Sequence, residues 1–501
     1  MRARTKTTPR YRGEIVFMLL RLLLFPILFS SSLKKAFVTS GVTRWKSCWP
    51  LPSAISAKRL KRFPRLRMSS SSEWIVSSLS SEDSGNDRTS PPKTTGSTRS
   101  LIPTHLFLHF DINETILLGD DAGGDSCHES TQKMLAKSAF CRIPTSSVLS
   151  WENTQEIEPT HWWDGQEIGK ETSMPPLYTG WKWPEKCCPY YRSAYKRYAK
   201  SFTQEGNHGQ IYGPLLDACE ASLPNKYSVR SGNTILPAFY ETLRHLIESY
   251  QNKNCDDGNE NIDKKELQHP PFTVVFRTFG SDLSEIASVV TAFANGEHPD
   301  YPDINFPPFC LSEDRLYQGR WKVVEDKAIY QLWTSDESQL VASGDAEILD
   351  LLNGKTKTSK DELSPLPFSI FGIRDDYPFW KANKFRPTAG KPIWVPRYND
   401  NIENEDGHDP YSHHLLFDDN IHNLPNDGIA SIRKESSPDN AGENEENAIA
   451  FDTFDPADRD TYQGVHLVRV PTCEPVLNPQ WYIQQIEKAR NRLQLQLQSQ
   501  S

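Results

Sequence analysis

The chain has 501 residues, 36 of them proline, with a mean hydropathy of −0.61 and a formal net charge of −9. Residues 1–72 hold sixteen Lys/Arg and one acid (Glu14), about +15, which leaves 40 basic and 64 acidic residues, about −24, for the rest. An acidic body excludes a general nucleic-acid binder, which needs clustered Lys/Arg, and the length allows two or three domains with much loop.

A basic start (Arg2, Arg4, Lys6, Arg10, Arg12) precedes the apolar run "IVFMLLRLLLFPILF", residues 15–29. A membrane span needs about 20 apolar residues. This run is shorter, and Arg21 and Pro26 interrupt it, so it reads as a signal-peptide core, with a signal anchor as the alternative. Residues 33–71 contain no acid and are rich in Ser, Lys and Arg, a transit-peptide composition. Together the two parts resemble the bipartite presequence of proteins sent to complex plastids. That resemblance implies delivery to a plastid by the secretory route; the secretory pathway itself and the mitochondrion stay open. Residues 1–72 are therefore set aside as an address, with no stable membrane span expected after processing. The Ser/Thr/Pro/Gly-rich stretch 69–100 reads as a disordered linker, bounded at 73–103.

The body opens on "LFLHF" (106–110), an apolar run that ends on Asp111 and continues into Ile112, Asn113, Glu114 and Thr115. A long aromatic-rich region follows, with Trp151, Trp162, Trp163, Trp181, Trp183, Tyr190 and Tyr191, which we expect to pack into a core of their own. "NTILPAFYETLRHLIESY" (233–250) carries Leu236, Phe239, Leu243 and Leu246 on one helical stripe behind a capping Thr234. "FTVVFRTF" (272–279) reads as a second strand. "SDLSEIASVVTAFA" (281–294) reads as a helix with Ser281 as N-cap. Further buried strands are "FSIFGI" (368–373), "HHLLF" (413–417) and "VHLVRV" (465–470), and "NPQWYIQQIEKARNRLQLQ" (478–496) closes the chain as a helix. The polar stretches 251–270, 397–412 and 425–447 bury too little apolar area to order themselves and read as solvent loops. Continuous apolar runs fit strands covered on both faces. Alternating strands and helices then predict an α/β fold, a Rossmann-like parallel sheet flanked by helices. Nine cysteines form no CxxC pair, and the odd count argues against a full disulfide framework, so buried or incidental thiols are expected.

In such sheets ligands bind beyond the carboxyl ends of the strands. Those ends deliver Asp111, Thr278 and the pair Asp418–Asp419, and Lys391 lies in "TAGKPIWV" just before the fourth strand. Carboxylates can hold a divalent cation, one can attack phosphorus, and a hydroxyl and an ammonium can offset phosphoryl charge. Asp375–Asp376 is a rival acidic pair, Lys381 and Lys384 are rival lysines, and His413 and His414 read as structural. "DDAGGDS" (120–126) lacks the Lys-Ser/Thr of a phosphate loop, so no nucleotide site is assigned.

"HFDINET" resembles motif I of the haloacid dehalogenase superfamily (hhhDxDx[TV]), with Asp111 in the nucleophile position. "VVFRTFG" is similar to motif II, ending in Thr278; "AGKP" to motif III, with Lys391; and "HHLLFDDN" to motif IV, with Asp418 and Asp419. The motifs stand in the family's order. The resemblance implies a core of residues 104–119 and 271–498, with a cap-like insertion at 120–270 after the first strand. It also implies a Mg²⁺ ion held by Asp111, the Asn113 carbonyl, Asp418 and Asp419, and an aspartyl-phosphate formed from a small phosphorylated substrate or a phosphoprotein. The chain departs from the pattern at Asn113, where the family's phosphatases place the Asp that handles the leaving-group proton. An amide does not shuttle protons, and such help is typically worth about 10²–10⁴-fold. Either Glu114, His109 or an insertion residue supplies the proton, or turnover is confined to good leaving groups, or the chain is a catalytically silent relative that binds a phospho-ligand or a protein partner.

Overall fold

The computed structural model describes residues 105–119, 124–142, 158–169, 181–190, 194–223, 233–255, 270–325, 327–354, 369–397, 412–424, 426–436, 451–453, 456–471 and 473–500. The presequence 1–72 and linker 73–103 lie outside them, as do residues 256–269 and 398–411 of the expected loops. The central feature is an eight-stranded sheet. It is built from β1 (His105–Asp111), β2 (Phe272–Thr278), β3 (Leu316–Val324), β4 (Lys327–Thr334), β5 (Leu340–Ser343), β6 (Ile370–Arg374), β8 (Ser412–Asp418) and β10 (Leu467–Arg469). Its order is β5-β4-β3-β6-β2-β1-β8-β10. The six strands from β3 to β10 run parallel, and β4 and β5 add an antiparallel margin. A second sheet joins β7 (Lys391–Val395) in parallel to β9 (Ala430–Glu435), with Phe451–Thr453 antiparallel beyond it.

Two of these elements depart from the sequence reading. The hairpin β3–β4 mixes buried residues with exposed ones such as Val323 and Val324, so it lacks the continuous apolar run that marked the other strands. β9 lies within 425–447, expected as a loop, yet Ala430, Ser431, Ile432 and Arg433 are buried against β7. Its polar flanks hid a six-residue strand. The helix behind Thr234 begins later, at Pro237, because Thr234–Ile235 pairs with Leu117–Leu118 instead.

Alternation along β1 divides the core. Leu106, Leu108 and Phe110 face helices α2 (Pro237–Cys255), α3 (Leu283–Ala294) and α6 (Trp481–Gln500), which contribute Phe239, Leu243, Ile286, Tyr482 and Ile486. Phe107 points the other way, into a cluster with Val275, Ile373, Trp394 of β7 and Ile348 of α4 (Asp345–Leu352). Adjacent side chains on a strand face opposite sides, so one strand seals both layers. The region 120–270 contributes α1 (Cys127–Ala136) and a small sheet in which Ala139–Arg142 is flanked by His161–Trp162 and Cys187–Pro189. Trp162 and Tyr190 fill its core with Phe202 and Tyr212, whereas Trp181 packs with Trp380 and Ile393; Trp151 and Tyr191 are outside the described residues. None of the described helices is long and apolar enough to cross a membrane.

The sheet interior also carries polar groups. Arg277 is fully buried and forks onto Asp375 at 3.0 and 2.5 Å, while Tyr330 donates to the same carboxylate at 2.5 Å. Arg277 also donates to the Pro392 carbonyl at 2.8 Å, tying β2 to β7. Beside it His109 and His414 share a 3.1 Å hydrogen bond, His413 bonds the Val465 carbonyl and His466 the His414 carbonyl. Burial pushes all four imidazoles down, His466 to about 4.

Two predictions follow from this interior. Arg277→Met strands a buried carboxylate and is expected to cost about 3–5 kcal/mol in urea unfolding; a loss below about 1 kcal/mol would mean that Asp375 reaches water. The histidines stay neutral in the fold, but the unfolded chain protonates below about pH 6.5. Stability is therefore lost as pH falls from that value, through about 4 for His466. His466→Gln is expected to flatten the drop in urea midpoint between about pH 7.5 and about pH 5 relative to wild type; equal slopes would contradict a neutral buried ring.

Candidate functional site

The loop after β1 explains why the strand stops where it does. Glu114 adopts φ 57°, a left-handed conformation, and the amides of Ile116 and Leu117 return to the Ile112 carbonyl. This tight turn leaves Asp111 at the strand's carboxyl edge. The neighbouring strands end at the same level: Asp111 pairs with Arg277 of β2, just before Thr278, and Phe110 pairs with Phe417 of β8, just before Asp418. Parallel pairing of three short strands thus delivers Asp111, Thr278 and Asp418 side by side.

The carboxylates of Asp111, Asp418 and Asp419 each offer an oxygen within 4.8 Å of the others, and all three residues are buried. Lys391 reaches them from the second sheet. Its ammonium donates to Asp111 at 2.5 Å and to Asp418 at 2.9 Å and lies 5.1 Å from the centre of the Phe279 ring. Gly390 makes that approach possible, because a Cβ there would sit 2.1 Å from the Ile429 carbonyl oxygen. The Lys391 amide donates to that same oxygen at 2.6 Å. The rival lysines Lys381 and Lys384 are exposed. The rival pair Asp375–Asp376 is structural: Asp375 is held by Arg277 and Tyr330, and Asp376 caps α5 (Tyr377–Ala382) and accepts from the Trp321 amide.

Electrostatics concentrate on the same few groups. Burial pushes Asp111 well above the usual carboxylate range; Lys391 opposes this, and Asp418 and Asp419 add to it. Lys391 is held charged, because its two carboxylates outweigh the cost of burial. Asp419 is raised by burial and restrained by Lys137, to which it is paired. An all-oxygen set of three carboxylates suits a hard divalent cation such as Mg²⁺, Mn²⁺ or Ca²⁺. A cation among them would favour their ionised forms.

Several of these partners escaped the sequence reading. Lys137 follows α1, from the region expected as an insertion, and bridges Asp419 and Glu114. Glu114 continues to Lys133 at 3.1 Å, and Lys133 to Asp125 at 2.6 Å. Thr115 donates to Asp111 at 3.4 Å, and the Tyr482 hydroxyl donates to the Thr115 carbonyl at 2.6 Å. Asp282 is the least expected. It occupies the N-cap position of α3, where Ser281 was expected, yet makes no capping bond. Instead it accepts from the Asn113 amide at 3.0 Å and from Thr278 at 3.4 Å, while Thr278 accepts from the Gly280 amide at 2.9 Å. An Asp at a helix start that leaves the helix uncapped has been drawn away by another partner, but that signal exists only in three dimensions.

The candidate proton carriers fare poorly. Burial pushes Glu114 up, but Lys137 and Lys133 override it and hold the group at about 2. His109 is enclosed between Arg277 and His414. Comparisons of the chain with family models, with curated proteins and with solved structures gave no match.

Asn113→Asp would set two carboxylates 3.0 Å apart where an amide now donates. That variant is expected to lose about 1–3 kcal/mol in urea unfolding, and the exchange Asn113→Asp with Asp282→Asn is expected to recover most of it. A double variant no better than the single one would show that the contact does not matter.

Proposed function

We propose that the chain is a divalent-cation-dependent phosphohydrolase or phosphotransferase of the haloacid dehalogenase type, with Mg²⁺ as the ion. One observation carries this reading: Asp111 and the pair Asp418–Asp419, more than 300 positions away in the chain, converge with a fully buried Lys391 at the carboxyl edge of a parallel sheet. The charges supply the argument for substrate class. Counted as ionised, the carboxylates of Asp111, Asp418, Asp419 and Glu114 against Lys391, Lys137 and Lys133 leave one net negative charge, which a divalent cation would reverse to one positive. A site of that sign complements an anion such as a phosphoryl group.

In this scheme an Asp111 carboxylate oxygen attacks phosphorus and the bond to the leaving oxygen breaks, giving an aspartyl-phosphate. Water or an acceptor hydroxyl then attacks the phosphorus and restores the carboxylate. Bound Mg²⁺ would supply charge stabilisation to the phosphoryl oxygens. Asp418 and Asp419 would hold the ion with Asp111, and the Asn113 carbonyl would complete the set. Lys391 would offset the charge of Asp111 and Asp418, and Thr278 would bind a phosphoryl oxygen. The region 120–270 acts as the cap, its Lys137 fixing Asp419. Asn113 hands on no proton, and neither Glu114, held ionised at about 2, nor the enclosed His109 replaces it. Activity is therefore confined to substrates whose leaving group departs without protonation. The same facts favour a second reading, a catalytically silent relative that holds a phospho-ligand or phosphoprotein.

The test is phosphate release from an aryl phosphate in Mg²⁺. Wild type is expected to exceed Asp111→Asn by at least about a hundredfold, and chelation to abolish the difference. Equal background rates in both proteins would sink the enzyme reading; if inorganic phosphate still bound in the presence of Mg²⁺, the silent reading would stand.

A further inference from the structure

Among the described residues seven cysteines, Cys127, Cys141, Cys187, Cys188, Cys219, Cys310 and Cys473, are thiols, and four of them, Cys141, Cys188, Cys219 and Cys473, lie in one buried cluster with Trp162, Tyr190 and Tyr212. Within it they stand two by two. Cys141 and Cys188 are directly opposite in the antiparallel pairing of Ala139–Arg142 with Cys187–Pro189. Opposed antiparallel residues have Cα atoms about 4.5–5.5 Å apart, inside the roughly 4.4–6.8 Å that a disulfide spans. Cys219, in helix Gly213–Ala221, is buried in the same cluster as Cys473, which opens the turn Glu474–Leu477, and the two thiols are close enough to interact. Cys187 is the neighbour of Cys188 but faces Arg142.

The geometry points to two disulfides in this core, Cys141–Cys188 and Cys219–Cys473, formed by exchange with a disulfide oxidant such as oxidised glutathione. For each, one thiolate attacks the oxidant's sulfur and expels one glutathione thiolate. The second cysteine's thiolate then attacks the mixed disulfide and expels the other. Two electrons pass to the oxidant, and both thiol protons end on glutathione. The Cys141 hydrogen bond lowers Cys188 below the usual thiol range, which suits it as the first attacker. An odd total of nine excludes full pairing but not these two bonds. Their position has a consequence for the acidic site. Cys473 follows Val470, whose amide donates to the Asp418 carbonyl at 3.1 Å, and Met134, Leu135 and Ala136 of the same cluster lead directly into Lys137. Cys219–Cys473 would fasten helix Gly213–Ala221 to the segment leaving β10, and Cys141–Cys188 would close the small sheet that follows α1 and Lys137. None of this depends on the phosphoryl-transfer reading.

The test equilibrates the full chain with oxidised glutathione, quenches in acid, and counts thiols under denaturing conditions before non-reducing peptide mapping. The titratable thiols are expected to fall from nine to five, the nine less the four in two pairs, with peptides joined 141 to 188 and 219 to 473. Cys187→Ser is expected to keep both links, and Cys473→Ala to lose one while Cys141–Cys188 still forms. Oxidised wild type is expected to melt at a higher temperature than the same sample after reductant. A count that stays at nine or stops at seven, links through Cys187, or links between members of different pairs would overturn the assignment.

Discussion

A fully buried ammonium holds the centre of this molecule together. Lys391 is fully buried, so its charge persists because Asp111 and Asp418 face it at 2.5 and 2.9 Å. Those carboxylates in turn sit at the ends of adjacent parallel strands, where like charges would repel across the sheet edge if nothing stood between them. Each side of the arrangement depends on the other. The second sheet exists to bring Lys391 in, Gly390 allows its backbone to pass the Ile429 carbonyl, and Arg277 pins the next residue, Pro392, from the main sheet.

The same logic runs outward. Asp419 lacks Lys391 and is answered by Lys137; Glu114 answers Lys137 and is shared with Lys133, which reaches Asp125. Alternating charges thus extend from the acidic edge into the region between β1 and β2. Buried ions of this kind are weak evidence for net stability but costly to break singly, so the network fixes geometry more than it adds stability. The lysines restrain the raised carboxylates without cancelling the rise: Asp111 stays above the usual range beside Lys391, and Asp419 beside Lys137. Asn113 belongs to a separate small circuit with Asp282 and Thr278, in which an amide donor lets a buried acid stand beside the site. That circuit gives the Asn at this position a structural reason independent of chemistry.

Much of this was legible in the chain. Largely apolar runs marked five strands of the main sheet, because strands covered on both faces are built mostly of apolar residues, and the rule that sites lie beyond strand ends selected Asp111, Thr278, Asp418 and Asp419, with Lys391 read from the segment ahead of a strand. The hairpin β3–β4 and strand β9 were not legible. Their faces are unequally covered, so polar and apolar residues mix, and β9 is buried only through contact with β7. The rival pair Asp375–Asp376 was indistinguishable from Asp418–Asp419 in sequence; only the buried guanidinium of Arg277 and the cap on Phe379 separate them.

By itself, then, the sequence determined the α/β class, the two-sided burial of the central strands and the residue types available at their ends, because those follow from local periodicity and from where apolar runs stop. Tertiary structure alone decided which acids face one another, which lysine of three is buried between them, and that Asp282 turns from its helix to Asn113. Those outcomes depend on parallel register and on the closing of a second sheet over the first, contacts made between residues too far apart in the chain for any local pattern to record.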